Sequence, residues 1–131
     1  MNNCKNCKAD TIGVYCSNKC QHEYQNNKTI LEWKQNPETG IKSGCRLKSA
    51  VRKYIFEKFN YKCSQCGWDE KNPITGKPPL EIDHIDGNSK NNSEENLRLL
   101  CPNCHSLTPT WKALNAGKGN KKKLRYFNLG R

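Results

Sequence analysis

This chain has little material for a conventional hydrophobic core. Only 34% of its 131 residues are apolar, its mean hydropathy is −1.01, and it holds one methionine and three phenylalanines. No apolar run nears the roughly 20 residues that span a bilayer, so no membrane role is expected. The N-terminus, MNNCKNCKAD, has no apolar segment of the kind a secretory signal needs. A reducing cytoplasm is therefore the expected compartment. Acid is missing from one end: none follows Glu95, whereas Arg98, Lys112, Lys118, Lys121, Lys122, Lys123, Arg125 and Arg131 do.

Cysteine is plentiful instead. A small domain short of core needs staples, and nine cysteines supply them. In a reducing compartment, cysteines at short paired spacing read as metal ligands rather than disulfides. The formal charge is +11, and two tetrathiolate zinc sites, each carrying a net charge of about −2, would lower it to roughly +7. The chain stays basic, which points to a polyanionic partner, nucleic acid. A merely solubilising tail is the plainer alternative.

Along the chain, residues 1–35 read as a Cys4 finger with a helix from Asn18 to about Gln35. Residues 36–46, with Asn36-Pro37 and Gly40, read as a turn or linker. From about Leu47 to Phe59 a helix is expected, because Leu47, Val51, Tyr54, Ile55 and Phe59 recur at three- and four-residue steps. Leu80, Ile82 and Ile85 suggest a strand, and Leu97, Leu99 and Leu100 a second. Pro102 to about Leu114 suggests a helix broken near Pro109. The main domain would run over 47–116 and a basic arm over 117–131.

Two metal sites follow from spacing. Cys63-x2-Cys66 and Cys101-x2-Cys104 are paired knuckles that together offer four thiolates to one structural zinc. Cys4-x2-Cys7-x8-Cys16-x3-Cys20 suits a second, and looks like a treble-clef zinc finger. His22 lies beside this set, but four cysteines already complete a tetrahedral site. Cys45 has no neighbour at ligand spacing and reads as a free thiol.

Between the knuckles lie Asp83-His84 and Asn96, and His105 follows the last cysteine. Phosphodiester hydrolysis needs a nucleophilic water, a base, and a cation to neutralise developing charge. Imidazole titrates near neutral pH and suits the base. A carboxylate and a second histidine suit a divalent cation, and an asparagine amide can brace a loop. Singly, each residue has a plain reading: Asp83 as a loop cap, His105 as an idle neighbour of Cys104. Glu81 reads as a surface or cross-strand charge and Asp86 as a turn residue. Arg98 reads either as a phosphate contact or as an ion-pair partner of Glu94 or Glu81. Trp111 reads as packing on the last helix.

With DH at Asp83-His84, EN at Glu95-Asn96 and CPNCH ending at His105, the segment resembles the HNH endonuclease family. Upstream, RLKSAVRKYIFEKFNYKCSQCG extends the similarity toward small phage-type members, so that it covers roughly residues 47–115. The resemblance implies a small α+β, zinc-stabilised fold: a ββα-metal, treble-clef-like nuclease domain beside the N-terminal finger. It implies His84 as general base, Asp83 and His105 as ligands of a catalytic Mg2+ or Mn2+, and Asn96 as the brace of the His84 loop. It implies DNA, most simply double-stranded, as partner of a monomer or dimer, a nicking activity, and a host-cell cytoplasm if the origin is viral. DNA contacts are expected from Arg98, Lys112, Lys118, Lys121, Lys122, Lys123 and Arg125. The competing readings are a zinc-stapled nucleic-acid-binding module without catalysis and a protein-interaction zinc finger.

Overall fold

In the computed structural model, residues 1–111 and 114 are described. A two-residue hairpin, β1 (Asn2–Asn3) with β2 (Asp10–Thr11), opens the chain. Helix α1 (Asn18–Gln35) follows, its first turn capped by Ser17, which accepts from the Cys20 N–H. A 3-10 turn over Pro37–Gly40 leads into β3 (Ile41–Ser43), which pairs with β4 (Arg46–Leu47). Residues 36–46 are thus a structured hairpin between two helices. Helix α2 (Ser49–Lys58) lies inside the expected span, but Leu47, the first residue of its apolar stripe, belongs to β4 and Phe59 caps the other end.

The long connection from residue 59 to 80 carries the first knuckle, where Gly67, at φ +79°, makes the turn that L-residues rarely adopt. Strand β5 (Glu81–His84) then pairs antiparallel with β6 (Leu97–Leu100), both where the apolar pattern expects them. Helix α3 (Pro102–Ser106) closes the ββα unit. It ends at Ser106, before Pro109 where a break is expected, and no helix continues through residues 107–111; residues 112 and 113 of the expected span lie outside the described residues. Proline disfavours helical geometry in the residue before it, here Thr108. The Thr108 hydroxyl instead donates back to the His105 carbonyl, 3.0 Å.

Two small cores share Phe59 and Ile82 at their edges. One gathers Leu80, Leu99 and Leu100 around Cys63, Cys101 and Cys104. The other packs Trp33 of α1 against Leu47, Val51, Ile55 and Leu97. Trp33 is fully buried and meets the Tyr54 ring edge-on at 5.7 Å. Its ring lies so close to Gly40 that a Cβ there would fall 2.4 Å from Trp33 Cδ1. The second half of α1 is therefore part of the structure beneath β5 and β6. Among the described residues no helix is long and apolar enough to cross a membrane.

Candidate active site and metal clusters

Two four-cysteine clusters form, each with its sulfur atoms within 4.8 Å of one another: Cys4, Cys7, Cys16, Cys20 and Cys63, Cys66, Cys101, Cys104. Tetrahedral ligands about 2.3 Å from a zinc would sit roughly 3.8 Å apart. Cys66 and Cys101 lie at 3.7 Å, Cys7 and Cys16 at 3.6 Å, and Cys16 and Cys20 at 3.4 Å. The donor sets fit a tetrahedral, thiophilic metal ion.

Electrostatics points the same way. Burial pushes the Cys63 thiol up, but backbone N–H groups of Cys66, Cys101 and Gln65 converge on it and hold it down to about 6. Cys104, hydrogen-bonded to Cys66 and buried, is pushed up to about 12. In the other cluster the Cys7 N–H leads in lowering Cys4 to about 6, while contacts to Cys20 and Cys7 push Cys16 up to about 12. Each cluster is poised to form at least one thiolate easily (Cys20 is lowered as well as Cys4) and the last with difficulty, and a dication removes that penalty. The second cluster also shapes its surroundings. Cys101 caps α3, its sulfur accepting from the Cys104 N–H at 3.4 Å, and this aims the next residue, His105.

His105 and Asp83 come together. His105 Nε2 is 3.7 Å from Asp83 Oδ1, and its Nδ1 is 2.8 Å from Glu81 Oε2. Glu81 thus occupies one ring nitrogen and leaves the other lone pair toward Asp83, the arrangement that orients a metal-binding imidazole. Glu81 and Asp83 share one face of β5 because side chains alternate along a strand. That period-two relation is the sequence signal that could have assigned Glu81, whose exposure fits a surface charge.

The β5–β6 register sets Arg98 directly opposite Asp83. Arg98 Nε donates to Asp83 Oδ2 at 2.9 Å, so the buried carboxylate is paired on one oxygen and open on the other. Arg98 therefore pairs with Asp83 and not with Glu94 or Glu81. Glu94 instead accepts from the Tyr54 hydroxyl at 2.6 Å and from Lys58 at 3.2 Å.

His84 ends β5, next to the turn at Gly87 (φ +75°). Its neighbour Asp83 points to the other face, yet both border one open cavity of 470 Å³, walled also by Glu81, His105, Ser89 and Trp111. His84 Nε2 is 2.8 Å from Asn92 Oδ1. The Asn92 amide donates to the Ser89 carbonyl at 3.2 Å, which fixes its oxygen toward the imidazole. Nε2 then carries the proton and Nδ1 is the basic nitrogen. Asn92 is 1% exposed, and its backbone carbonyl accepts from Trp33 Nε1 at 2.7 Å. Nothing in the polar run SKNNS marks Asn92 out, because a residue selected by a contact from a distant helix leaves no local pattern.

Asn96 sits at the root of the loop. Its amide donates to Asp86 Oδ1 at 3.0 Å and to the Asn91 carbonyl at 2.8 Å, and its oxygen accepts from the Asp86 N–H at 3.1 Å. It does not wall the cavity among the described residues. The Asn91 amide, then the Asn88 N–H, hold the Asp86 carboxyl below its ordinary value, so this turn residue also anchors the loop. Lys112, Lys118, Lys121, Lys122, Lys123 and Arg125, with the 117–131 arm, lie outside the described residues.

Comparison with known proteins adds the last observation. The profile of the HNH endonuclease family matches residues 63–108. The chain is 52% identical over 61 residues to the H-N-H endonuclease F-TflIV of Escherichia phage T5, covering 44% of this chain and 25% of that protein. It is 39% identical over 59 residues to the Zorya protein ZorE of Escherichia coli, covering 45% of this chain and 15% of that protein. The chain thus spans a quarter or less of the length of these relatives. No solved structure matches it. Both knuckles, the two strands, the short helix and the Asp-His, Asn and His positions all lie inside residues 63–108, the span that matches the HNH endonuclease family.

Proposed function

We propose that this chain is a metal-dependent endonuclease that hydrolyses DNA phosphodiester bonds. The observation that carries the reading is the facing of Asp83 Oδ1 and His105 Nε2 across 3.7 Å, in the same open cavity as a histidine whose other nitrogen is tied down. Asp83 and His105 would hold Mg2+ or Mn2+, and Zn2+ would fill the two cysteine clusters. A divalent ion held by Asp83 and His105 would supply charge neutralisation for the phosphoryl oxygens and the leaving oxygen. With only two protein ligands, room remains for phosphate and water.

His84 Nδ1 takes the proton from the attacking water as its oxygen bonds to phosphorus and the opposite P–O bond breaks. Asn92 keeps the accepting nitrogen correctly oriented throughout. Arg98 holds Asp83 in place, and Glu81 keeps the His105 ring aimed. Asn96 acts through the loop and touches no reacting atom. One such site per chain cuts one strand, so nicking is the expected product, and a double-strand break requires a second copy or a second event.

The test is supercoiled plasmid incubated with Mg2+ or Mn2+, with and without EDTA. Nicked circles forming only with free divalent ion are expected. Plasmid left intact under Mg2+, Mn2+, Co2+ and Ni2+, yet retarded on a gel, would establish a binding module instead.

A further inference from the structure

Beside the site lies a second and larger hollow, of 870 Å³, between α1, the β3–β4 hairpin and the start of α2. Its charged lining residues other than His84 are Lys42, Arg46, Lys48 and Arg52, and no acid walls it. Several cations elsewhere are paired: Lys34 and Lys58 with Glu94, Lys53 with Glu57, Lys62 with Asp69, and Arg98 with Asp83. Among the described residues, none of the four groove cations has a carboxylate within ion-pair distance, and only Arg52 has a ring partner, Phe56 at 6.0 Å. Four like charges gathered without a counter-charge repel one another, and a polyanion relieves that repulsion.

The groove is continuous with the active-site cavity. Ile82 and His84 wall both, and Cys45 of the groove meets Ser89 of the cavity at 3.7 Å. On the opposite bank Asn26 and Thr29 of α1 offer uncharged hydrogen-bonding groups, the usual companions of Lys and Arg at phosphates. We infer that this groove is the track of the DNA backbone on one side of the scissile phosphate, with Lys42, Arg46, Lys48 and Arg52 as its phosphate contacts. It rests on the nuclease reading for the position of the scissile bond. The cations lie on residues 42–52, outside the matched HNH segment, so the nuclease site and its substrate track come from different parts of the chain.

The experiment measures affinity for a short DNA duplex against salt concentration, for the wild type and for a Lys42→Ala/Arg46→Ala double variant. Both side chains are exposed on a surface hairpin. Each lost phosphate contact lowers the slope of log K against log salt by about 1. The double variant should lose about 2 from the slope and bind about tenfold or more weakly at moderate salt, with its melting temperature unchanged. An unchanged slope would overturn the track. A second measurement needs no substitution: alkylation of Cys45, the cysteine outside both clusters, should slow on adding DNA to the wild type. An unaltered rate would count against it. The two proposals fail separately. Protein that cuts plasmid but keeps its slope and its Cys45 reactivity lacks the track, whereas a slope that falls in protein that never cuts leaves the track standing without the nuclease.

Discussion

His84, Asp83 and His105 are neighbours only because other residues hold them there, and each support is a separate hydrogen bond. Asn92 fixes the tautomer of His84, Glu81 that of His105, and Arg98 one oxygen of Asp83. Supports of this kind contribute through orientation, and losing one at a metal-binding histidine costs about 10–100-fold in metal affinity or activity. Glu81→Gln should therefore raise the Mn2+ concentration for half-maximal cleavage by about 10–100-fold, while DNA affinity without divalent ion stays put. A half-saturation point equal to that of the wild type would mean that Glu81 is only a surface charge. Asp83, His84, Asn96 and His105 stand out in the sequence through the DH, EN and CPNCH motifs. Their supports do not, since the choice of Arg98 for Asp83 depends on strand register and that of Asn92 on Trp33, 59 positions away in the chain.

At the level of elements, α1 does two jobs. Its first turn carries Cys20 of one cluster, and its last turns deliver Trp33 to the core and to the Asn92 carbonyl. Gly40 is the price of that fit, since its hydrogen is what lets the indole lie flat against the turn. Gly40→Ala should destabilise the protein by about 1–3 kcal/mol, the usual cost of overpacking, read as a lower melting temperature. A variant as stable as the wild type would show that Trp33 moves freely.

Glu94 ties the same elements electrostatically. Burial pushes its carboxyl up, but the Tyr54 hydroxyl and the Lys58 and Lys34 ammonium groups outweigh burial and hold it below its ordinary value of 4.5. A carboxyl depressed in the folded state contributes stability above its unfolded pKa and loses it as pH falls through the folded one. Melting temperature should therefore fall below about pH 4.5, and Glu94→Gln should flatten that fall; an equally steep fall in the variant would assign the acid sensitivity elsewhere. Helix α2 and strands β5 and β6 are legible from their apolar pattern, but the β1–β2 hairpin and residues 36–46 are not. Pro37 and Gly40 signal a turn whether it is a loose tether or a packed hairpin, and only the burial of Trp33 against it separates the two.

At the scale of the whole molecule, two four-cysteine clusters able to hold metal ions stand where composition offers little core. Cys63, Cys101 and Cys104 are themselves much of one hydrophobic cluster, and the helix carrying His105 starts on one of those sulfurs. The two kinds of metal should separate experimentally. Dialysis into buffer free of divalent ions should stop cleavage reversibly with far-UV circular dichroism unchanged, whereas a zinc-avid chelator should abolish the folded spectrum. A native spectrum and melting temperature after complete zinc removal would contradict the structural role. Charge was legible only in part: basicity is plain from composition, but the gathering of Lys42, Arg46, Lys48 and Arg52 into one groove depends on how the hairpin docks on α1 and α2.

We propose His84 as the base of a hydrolytic site that zinc would build and a second metal ion complete. The most direct test is His84→Ala, assayed on supercoiled plasmid with Mg2+ or Mn2+ alongside zinc content and DNA affinity. A base of this kind contributes about 10²–10⁴-fold. A cleavage loss of that size is expected, with zinc content and DNA binding intact. Metal-dependent cleavage at the wild-type rate in the variant would contradict the proposal.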